Sequence, residues 1–272
     1  MPAPDTITPT QLSRLIGTPD APLVLDVRTA DDYALDPRLV PASRRRDAGT
    51  VGDWAADYAG RTVAVVCQAG LKLSQGVAAW LRHAGARAES VEGGFEAWAR
   101  SGLPLLAPEH LPPRNSRGAT VWVTRARPKI DRIACPWLIR RFVDPQAVFL
   151  FVAANQVEAA AARFAATPFD VENVFFSHRG EQCTFDVMIE AFGLRLAALD
   201  RLAIIVRGAD TARLDLAPQS AGLLAASLGL SRMYRDDLAQ LEASLPLYDA
   251  FYRWARDAVG ETHDWPGPGA AS

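Results

Sequence analysis

Residues 62–81 read TVAVVCQAGLKLSQGVAAWL, and this stretch decides the fold of the first half of the chain. The β-branched run at residues 62–66 predicts a buried strand. Apolar residues then recur at helical spacing, at Leu73, Val77, Trp80, Leu81 and Ala84. A short loop, residues 67–72, must therefore carry the chain from the end of a strand to the start of a helix.

This loop is the first candidate site. A thiol at Cys67 would face the unpaired N–H groups and the positive dipole end of the helix, which favour a negative charge on sulfur. Gly70 lets the backbone curl, Lys72 adds a cation, and the N–H groups could also hold an anion attached to the sulfur. The alternative is a buried structural cysteine at the end of a core strand.

The flanking sequence alternates between strand and helix patterns. Strands are predicted at residues 23–27 and 87–91, and helices at 9–16, from Thr29, at 51–58 and at 95–100. Such alternation predicts an α/β fold, a parallel sheet with helices on both faces.

Three motifs in this half resemble a single rhodanese domain. They are residues 25–28 (LDVR) with Tyr33, the Cys67-x4-Lys72 loop, and residues 91–98 (VEGGFEAW) with 102–104 (GLP). The resemblance implies a sulfurtransferase in which Cys67 carries a persulfide between a small-molecule sulfur donor and a thiol acceptor. Gly70 and Lys72 would then assist catalysis. Substrate would lie against the rest of the loop, Gln68, Ala69 and Leu71.

Two positions depart from the usual rhodanese pattern. Lys72 stands where an arginine is common, and an ammonium cannot grip an oxyanion with two parallel hydrogen bonds. Residues 38–43 (RLVPAS), followed by three arginines at 44–46, replace the usual GHIPGA turn. We interpret the arginine run as a solvated face and, secondarily, as a docking patch.

Length and composition limit the classes of protein to which this chain can belong. A chain of 272 residues with 49% apolar composition favours two domains. Nucleic-acid binding favours a chain that is basic throughout, and the net charge of −2 excludes such a chain. Three scattered cysteines indicate reduced thiols, and neither a signal peptide nor a membrane span is apparent, so we expect a cytoplasmic protein that does not enter membranes.

The domain boundaries follow from a change in composition. Residues 105–118 (LLAPEHLPPRNSRG) are rich in proline and lack a pattern, which is typical of a linker. We therefore predict a rhodanese-like domain at 5–104, a second domain at 119–260 and a disordered tail at 261–272.

The second half is predicted as α+β, with a small sheet and mainly helical. Its strands are expected at residues 120–124, 148–152 and near 174–176. One helix would begin at Cys135 and Pro136 and end at Asp144. Capping residues would start two more, Asn155 with Glu158 for a helix to 164 and Thr184 for a helix to 193. Further helices are expected at 199–206, 218–228, 231–244 and 247–258.

A basic cluster follows the first strand of this half. If the backbone stays extended before Pro128, the side chains of Arg125, Arg127 and Lys129 project on one side, with Arg132 close by. Such a cluster could bind a tetrahedral dianion such as chromate or sulfate. A solvated basic edge, or pairing with Asp131 and Asp144, would explain the same residues.

Potential metal ligands occur further along. His178, Glu181, Cys183 and Asp186 fall within nine residues, and Asp210 could join them in space. Such a set could hold zinc or iron. A structural histidine, and a core cysteine ahead of a helix, are the alternatives.

Residues 123–139, 177–186 and 206–210 resemble the C-terminal domain of the chromate-resistance ChrB family, a likeness that spans about 119–258. In regulators of that family a DNA-binding-type domain precedes this one, and here a rhodanese-like domain replaces it. The combination implies a chromate or oxyanion stress-resistance protein with a sulfurtransferase module. The alternative is a non-enzymatic chromate or metal sensor whose rhodanese-like domain docks a partner. A DNA-binding regulator would need a basic recognition helix, and the sequence offers none.

Overall fold

The structure is a computed structural model that describes residues 5–262. The first half forms a five-stranded parallel sheet in the order β1-β5-β4-β2-β3. The strands are β1 (Thr6–Ile7), β2 (Leu23–Asp26), β3 (Ser43–Arg45), β4 (Thr62–Val66) and β5 (Arg87–Val91). The helices are α1 (Pro9–Leu15), α2 (Ala30–Leu35), α3 (Val51–Trp54), α4 (Lys72–His83) and α5 (Gly94–Arg100). The predicted α/β fold is confirmed.

Alternation along β4 explains why helices cover both faces of this sheet. Val63 and Val65 pack on one face with residues of α3 and α4. Ala64 and Val66 pack on the opposite face, with α1, α5 and the second half of the chain. A central strand buried on both faces is typical of a parallel sheet.

The second half has a smaller sheet and a larger helical layer. Three parallel strands lie in the order β7-β6-β8, namely β6 (Val121–Arg125), β7 (Val148–Val152) and β8 (Thr167–Pro168). The helices are α6 (Ile130–Leu138), α7 (Val157–Phe164), α8 (Thr184–Ala191), α9 (Ala197–Asp210), α10 (Gln219–Met233) and α11 (Asp237–Asp257). The predicted α+β, mainly helical class is confirmed.

The start of α6 corrects a prediction. Cys135 and Pro136 do not begin the helix; Pro136 lies inside it, and the chain continues as a π-helix at Ile139–Val143. Proline lacks an N–H, so the carbonyl of Arg132 loses its usual helical partner. Burial outweighs this cost, because α6 is buried on nearly all sides. The earlier start places Asp131 and Arg132 in the first turn.

The predicted boundary between the last two helices is also wrong. The predicted helices at 231–244 and 247–258 are largely one helix, α11, with Pro246 inside it. Pro246 and Glu242 both lie on the exposed side of α11, where water can satisfy the carbonyl that proline leaves without a donor.

Two predicted capping residues were wrong. Helix α7 follows a short 3₁₀ turn, and its cap, Gln156, makes no side-chain cap hydrogen bond, so Asn155 and Glu158 form no capping box. Helix α8 is capped by Cys183 with Asp186, and Thr184 is its first residue.

The strand predicted near 174–176 is also absent from the described residues. Phe176 forms only a single bridge with Phe169. Positive φ angles at Asp170 and Asn173 interrupt the extended backbone between these two residues, so no ladder extends from this parallel bridge.

The two halves share one hydrophobic core. Residues of α1, α5 and the β4 face lie in the same cluster as Trp122, Trp137 and Phe142 of the second half. Gly17, with φ of +86°, approaches so closely that a Cβ there would lie 2.4 Å from Phe142 Cζ. The halves are therefore packed domains and are not joined by a tether alone.

The connecting segment, residues 105–118, takes part in this packing. Leu106 is buried and exchanges backbone hydrogen bonds with Leu39. Arg114 forms a bridge with Thr120 and a salt bridge of 3.0 Å with Asp144.

Of the residues the structure describes, no helix combines the length and the apolar character needed to cross a bilayer. The disordered tail predicted for 261–272 falls, from residue 263 onward, outside the described residues.

Candidate functional site

The first candidate site is the loop between β4 and α4. Cys67 follows the last residue of β4, and Lys72 is the first residue of α4, a helix of 12 residues. The Cys67 thiol is buried and donates to Ser74 Oγ at 3.1 Å, and that hydroxyl donates to the Leu71 carbonyl at 3.2 Å. The chain thus positions the sulfur at the carboxyl edge of the sheet, beside the first turn of a helix.

Gly70 fixes the shape of this loop. Its φ is +67°, and a Cβ there would lie 2.5 Å from the backbone N atoms of Gly93 and Gly94. A Cβ on Gly94 would in turn lie 2.3 Å from the Cys67 carbonyl oxygen. The cysteine loop therefore packs against the VEGGF motif.

The loop leaves several N–H groups available. In the described part of the chain, the backbone N–H groups of Ala69, Gly70 and Leu71 have no protein acceptor. The side chains of Leu71 and Lys72 are exposed, whereas the Gln68 amide donates to Glu96 Oε1 at 3.2 Å. Anion binding at this loop would therefore use backbone groups, with Lys72 as an exposed cation at the rim.

The arginine run at 44–46 is not a plain solvated face, since all three side chains are half-buried. Arg44 donates to Gln146 Oε1 at 2.8 Å, and this contact joins the two domains. Arg45 stacks 3.8 Å from the Tyr33 ring centre, and Arg46 donates to the Tyr58 hydroxyl at 3.1 Å. Arg45 and Arg46 also line an open pocket of about 610 Å³ that includes Leu73.

The basic cluster of the second half does not converge as expected. Arg127 has a left-handed backbone with φ of 58°, which breaks the alternation of an extended segment. Its guanidinium turns to α10 and α11, where it donates to the Ser231 carbonyl and lies 3.9 Å from Asp237. The Lys129 side chain is exposed at the start of α6.

Arg125 and Arg132 are brought together. Arg132 Nε lies 3.2 Å from Asp170 Oδ2, and Arg125 Nη2 lies 3.9 Å from the same oxygen. Burial lowers the pKa of Arg132 from its usual range. Arg125 is half-exposed, so these two arginines form a partly open cationic edge around one carboxylate.

A second cluster lies beside that edge. His178 Nε2 is 3.2 Å from Asp210 Oδ2, 3.4 Å from Asp170 Oδ1 and 3.5 Å from Asp131 Oδ2. The His178 side chain is 42% exposed, while Asp131 is 1% exposed. Three carboxylates from three different chain segments thus surround one imidazole nitrogen at the solvent boundary.

The electrostatics of this cluster are strongly perturbed. Burial, together with the neighbouring carboxylates of Asp210 and Asp170, raises the pKa of Asp131. Hydrogen bonds to Asp170 and Asp210 raise the pKa of His178 to about 10. Titratable groups shifted this far in a partly open site mark a candidate functional centre.

Of the four metal ligands predicted from the sequence, only His178 lies in this cluster. Glu181 is exposed and pairs with Arg213 at 3.4 Å. Asp186 accepts from the Cys183 N–H at 3.0 Å and pairs with Arg207 at 3.1 Å.

The other two cysteines are unsuited to nucleophilic chemistry. Cys135 and Cys183 are both fully buried, and burial raises the pKa of each thiol. Cys183 also lies at a helix N-terminus, but its thiol is surrounded by buried groups, so Cys67 is the better candidate for a nucleophile.

Sequence reasoning missed Ser74, Asp131 and Asp170, and noted Asp210 only as a neighbour. The sequence contains a signal for two of these residues, Ser74 and Asp131. Ser74 shares a stripe with Val77, Ala78 and Leu81, and Asp131 shares one with Ala134, Cys135 and Leu138. A polar residue on an otherwise apolar helical stripe indicates a buried hydrogen bond or a site. Asp170 lies in an irregular segment and gives no such signal.

Two family models match separate parts of the chain. Residues 8–101 match the Rhodanese-like domain, and residues 122–255 match the family described as ChrB, C-terminal domain. Protein ChrB of Cupriavidus metallidurans is 32% identical over 132 residues, which is 48% of this chain and 39% of that protein. The match thus spans well under half of the relative's length.

Some solved structures are similar to part of the chain. A protein from Staphylococcus saprophyticus is 26% identical, over 38% of this chain and 99% of that one, with a TM-score of 0.33. Thiosulfate sulfurtransferase from Pseudomonas aeruginosa is 26% identical, over 40% of this chain and 20% of that one, with a TM-score of 0.32.

The fold and the cysteine loop define an α/β module of the rhodanese class, and a mainly helical module follows it in the chain. The first module matches the Rhodanese-like domain model, and the second matches the model of the ChrB C-terminal domain.

Proposed function

We propose that this protein acts in resistance to chromate or related oxyanions, and that its first domain is a sulfurtransferase that uses a persulfide on Cys67. The observation that carries the proposal is the position of the sulfur. Cys67 Sγ lies 3.1 Å from Ser74 Oγ, next to a loop whose N–H groups at Ala69, Gly70 and Leu71 have no acceptor in the described residues. Such donors stabilise a charged sulfur species without reorganisation.

The chemistry can be written with thiosulfate as donor. The Cys67 thiolate attacks the outer sulfur of thiosulfate, a new S–S bond forms at Cys67, and the original S–S bond breaks. Sulfite leaves with the electron pair of the broken bond. An acceptor thiolate then attacks the outer sulfur of the persulfide, and the Cys67 thiolate departs with that bond's electrons.

Within this scheme the loop residues have separate tasks. The N–H groups would hold the sulfonate oxygens of the donor, since they lie at a helix N-terminus. Lys72, exposed at the same end of α4, would attract the anion as a point charge. Gly70 would keep the loop closed against Gly93 and Gly94.

The activity assay that tests this is sulfur transfer from thiosulfate to cyanide by the full chain. Cys67→Ser should abolish transfer, because a hydroxyl cannot form a persulfide. Cys135→Ser should retain it, since Cys135 is buried in α6. Transfer that persists in Cys67→Ser, or wild type inactive with cyanide and with small thiols, would refute the enzymatic proposal.

The second domain would handle the oxyanion itself. Support comes from Arg125 and Arg132, whose guanidiniums meet at one partly open edge. Arg127 and Lys129 point elsewhere and are not required. Calorimetric titration of the full chain with chromate and with sulfate should show binding that Arg125→Ala weakens by about tenfold, the loss of one charge-assisted contact. Absence of heat for both anions would remove this part of the proposal.

A second candidate function rests on exposed apolar side chains near the loop. Leu71, directly ahead of α4, is 61% exposed, and Leu73, in the first turn of α4, is 37% exposed. These residues fit a docking surface, in a protein that senses chromate or a metal without sulfur transfer. Leu71→Ser should leave transfer to cyanide intact if the face serves a protein partner only.

A further inference from the structure

We propose that Asp131, Asp170 and His178, with Asp210 beside the imidazole, form a binding site for one divalent first-row transition-metal ion of the Mn²⁺ or Fe²⁺ type. These four residues come from the first turn of α6, the segment after β8, the loop before α8 and the last residue of α9. The site does not include Cys67 or the predicted ligands Glu181, Cys183 and Asp186, and the buried Cys183 thiol lies against Asp131.

The distances suit a single ion. His178 Nε2 lies 3.2, 3.4 and 3.5 Å from one oxygen each of Asp210, Asp170 and Asp131. Ligand atoms bound at about 2.0–2.2 Å to a common ion lie roughly 3.0–3.5 Å from their neighbours, in octahedral or tetrahedral arrangement. Asp131, Asp170 and His178 in addition have ligand atoms that are all within 4.8 Å of one another.

An independent observation comes from Asp131. This side chain is 1% exposed, and its Oδ1 has no hydrogen-bond partner among the described residues. Its other oxygen, Oδ2, accepts from the Thr184 N–H at 2.5 Å. A buried carboxylate oxygen without a donor is costly, and the cost is removed when the oxygen coordinates a cation.

Neighbouring groups hold the ligands in place. Thr184 Oγ1 donates to Asp170 Oδ1 at 2.8 Å, and Arg132 Nε lies 3.2 Å from Asp170 Oδ2. The Asp131 N–H donates to Asp210 Oδ1 at 3.3 Å. Outer groups of this kind orient metal ligands and contribute to affinity.

The donor set decides the class of ion. The carboxylates of Asp131 and Asp170 favour hard cations, and imidazole favours first-row transition metals. The combination therefore fits Mn²⁺ or Fe²⁺ better than a soft ion that prefers thiolates. His178 is 42% exposed, which leaves one side of the site open to water or to an incoming ligand.

The competing explanation is a purely internal ion pair, a protonated His178 held by carboxylates. Both explanations predict that His178 and Asp210 stabilise the domain. They differ in whether the purified protein takes up an added cation at this position.

The experiment uses the full chain after treatment with a chelator and its removal. Mn²⁺ is titrated by calorimetry and by the loss of the free-ion electron paramagnetic resonance signal. His178→Ala and Asp210→Asn are compared with Glu181→Gln, a matched control that alters an exposed acidic side chain outside the cluster. Thermal unfolding without metal confirms that each variant folds.

We expect one Mn²⁺ per chain, and at least a tenfold loss of affinity in His178→Ala and in Asp210→Asn, because even outer-sphere changes reduce affinity about 10–100-fold. Glu181→Gln should bind as wild type does. No uptake of Mn²⁺, Fe²⁺ or Zn²⁺ by folded wild type would establish the ion pair instead. Uptake that survives both ligand substitutions would place the ion elsewhere and overturn the proposal.

Discussion

Ser74 Oγ lies 3.1 Å from Cys67 Sγ, and both side chains are buried under the same loop. In the thiol form the hydroxyl accepts from sulfur and donates to the Leu71 carbonyl. If sulfur loses its proton, the hydroxyl can rotate and donate to it. Ser74 thereby becomes a specific partner for the charged nucleophile.

Ser74→Ala should lower the rate of sulfur transfer by about tenfold or more, since hydrogen bonds to charged groups are worth about 1.5–3 kcal/mol. Persulfide should still form on Cys67, only more slowly. Stopped-flow measurement of the single-turnover rate with thiosulfate tests this. An unchanged rate in a folded variant would show that the hydroxyl has a structural role only.

Gly70→Ala should disrupt the loop. The new Cβ would lie 2.5 Å from backbone atoms of Gly93 and Gly94, at a φ of +67°. Gly76→Ala is the matched control, because Gly76 lies in α4 with nothing within 4 Å of a Cβ. Gly76→Ala should stabilise the protein by roughly 0.5–1 kcal/mol and keep activity. Chemical denaturation and the cyanide assay report the contrast, and equal behaviour of the two variants would contradict the packing described for Gly70.

Lys72 should act on donor binding and not on the chemical step. Lys72→Arg should keep or improve activity with thiosulfate, because a guanidinium binds oxyanions with paired hydrogen bonds. Lys72→Ala should raise KM by about tenfold with kcat little changed, as expected when one charge-assisted contact is lost. Identical kinetics in all three proteins would leave the backbone N–H groups as the only anion ligands.

Gly17 reports on the shared core of the two domains. In Gly17→Ala a Cβ would meet Phe142 Cζ at 2.4 Å and Tyr252 Cε1 at 2.9 Å. Gly60→Ala is the control for backbone strain, since Gly60 has a similar positive φ and open space around it. Strain alone should cost about 1–2 kcal/mol at either site, and crowding should add about 1–3 kcal/mol at Gly17. Equal losses in the free energy of unfolding would mean that the domains do not depend on this contact.

The parallel sheet and the cysteine loop could be predicted because local signals agreed there. The β-branched run, the glycines and the helical spacing after Leu71 all indicated the same strand, loop and helix. Two prolines of the second half led to wrong helix boundaries, since Pro136 and Pro246 lie inside helices. A proline lowers helix stability locally. Its presence in the sequence does not show whether burial or contact with solvent compensates for the lost hydrogen bond.

The error at Pro136 also concealed the second site. Because the start of α6 was predicted too late in the chain, Asp131 was interpreted only as a charge partner of the basic cluster around Arg125. Arg127 was placed beside Arg125, because nothing in the sequence signals a left-handed backbone at an arginine. The carboxylates that surround His178 come from distant segments, and only tertiary packing brings them together.

The central claim is that Cys67 carries sulfur, and intact mass spectrometry of the full chain after thiosulfate treatment tests it most directly. Wild type should gain the mass of one sulfur atom, lose it on addition of cyanide or a thiol, and show the modification on the peptide that contains Cys67. Cys67→Ser should gain nothing, and Cys135→Ser should behave as wild type. No mass gain in wild type, or a gain that Cys67→Ser retains, would contradict the account.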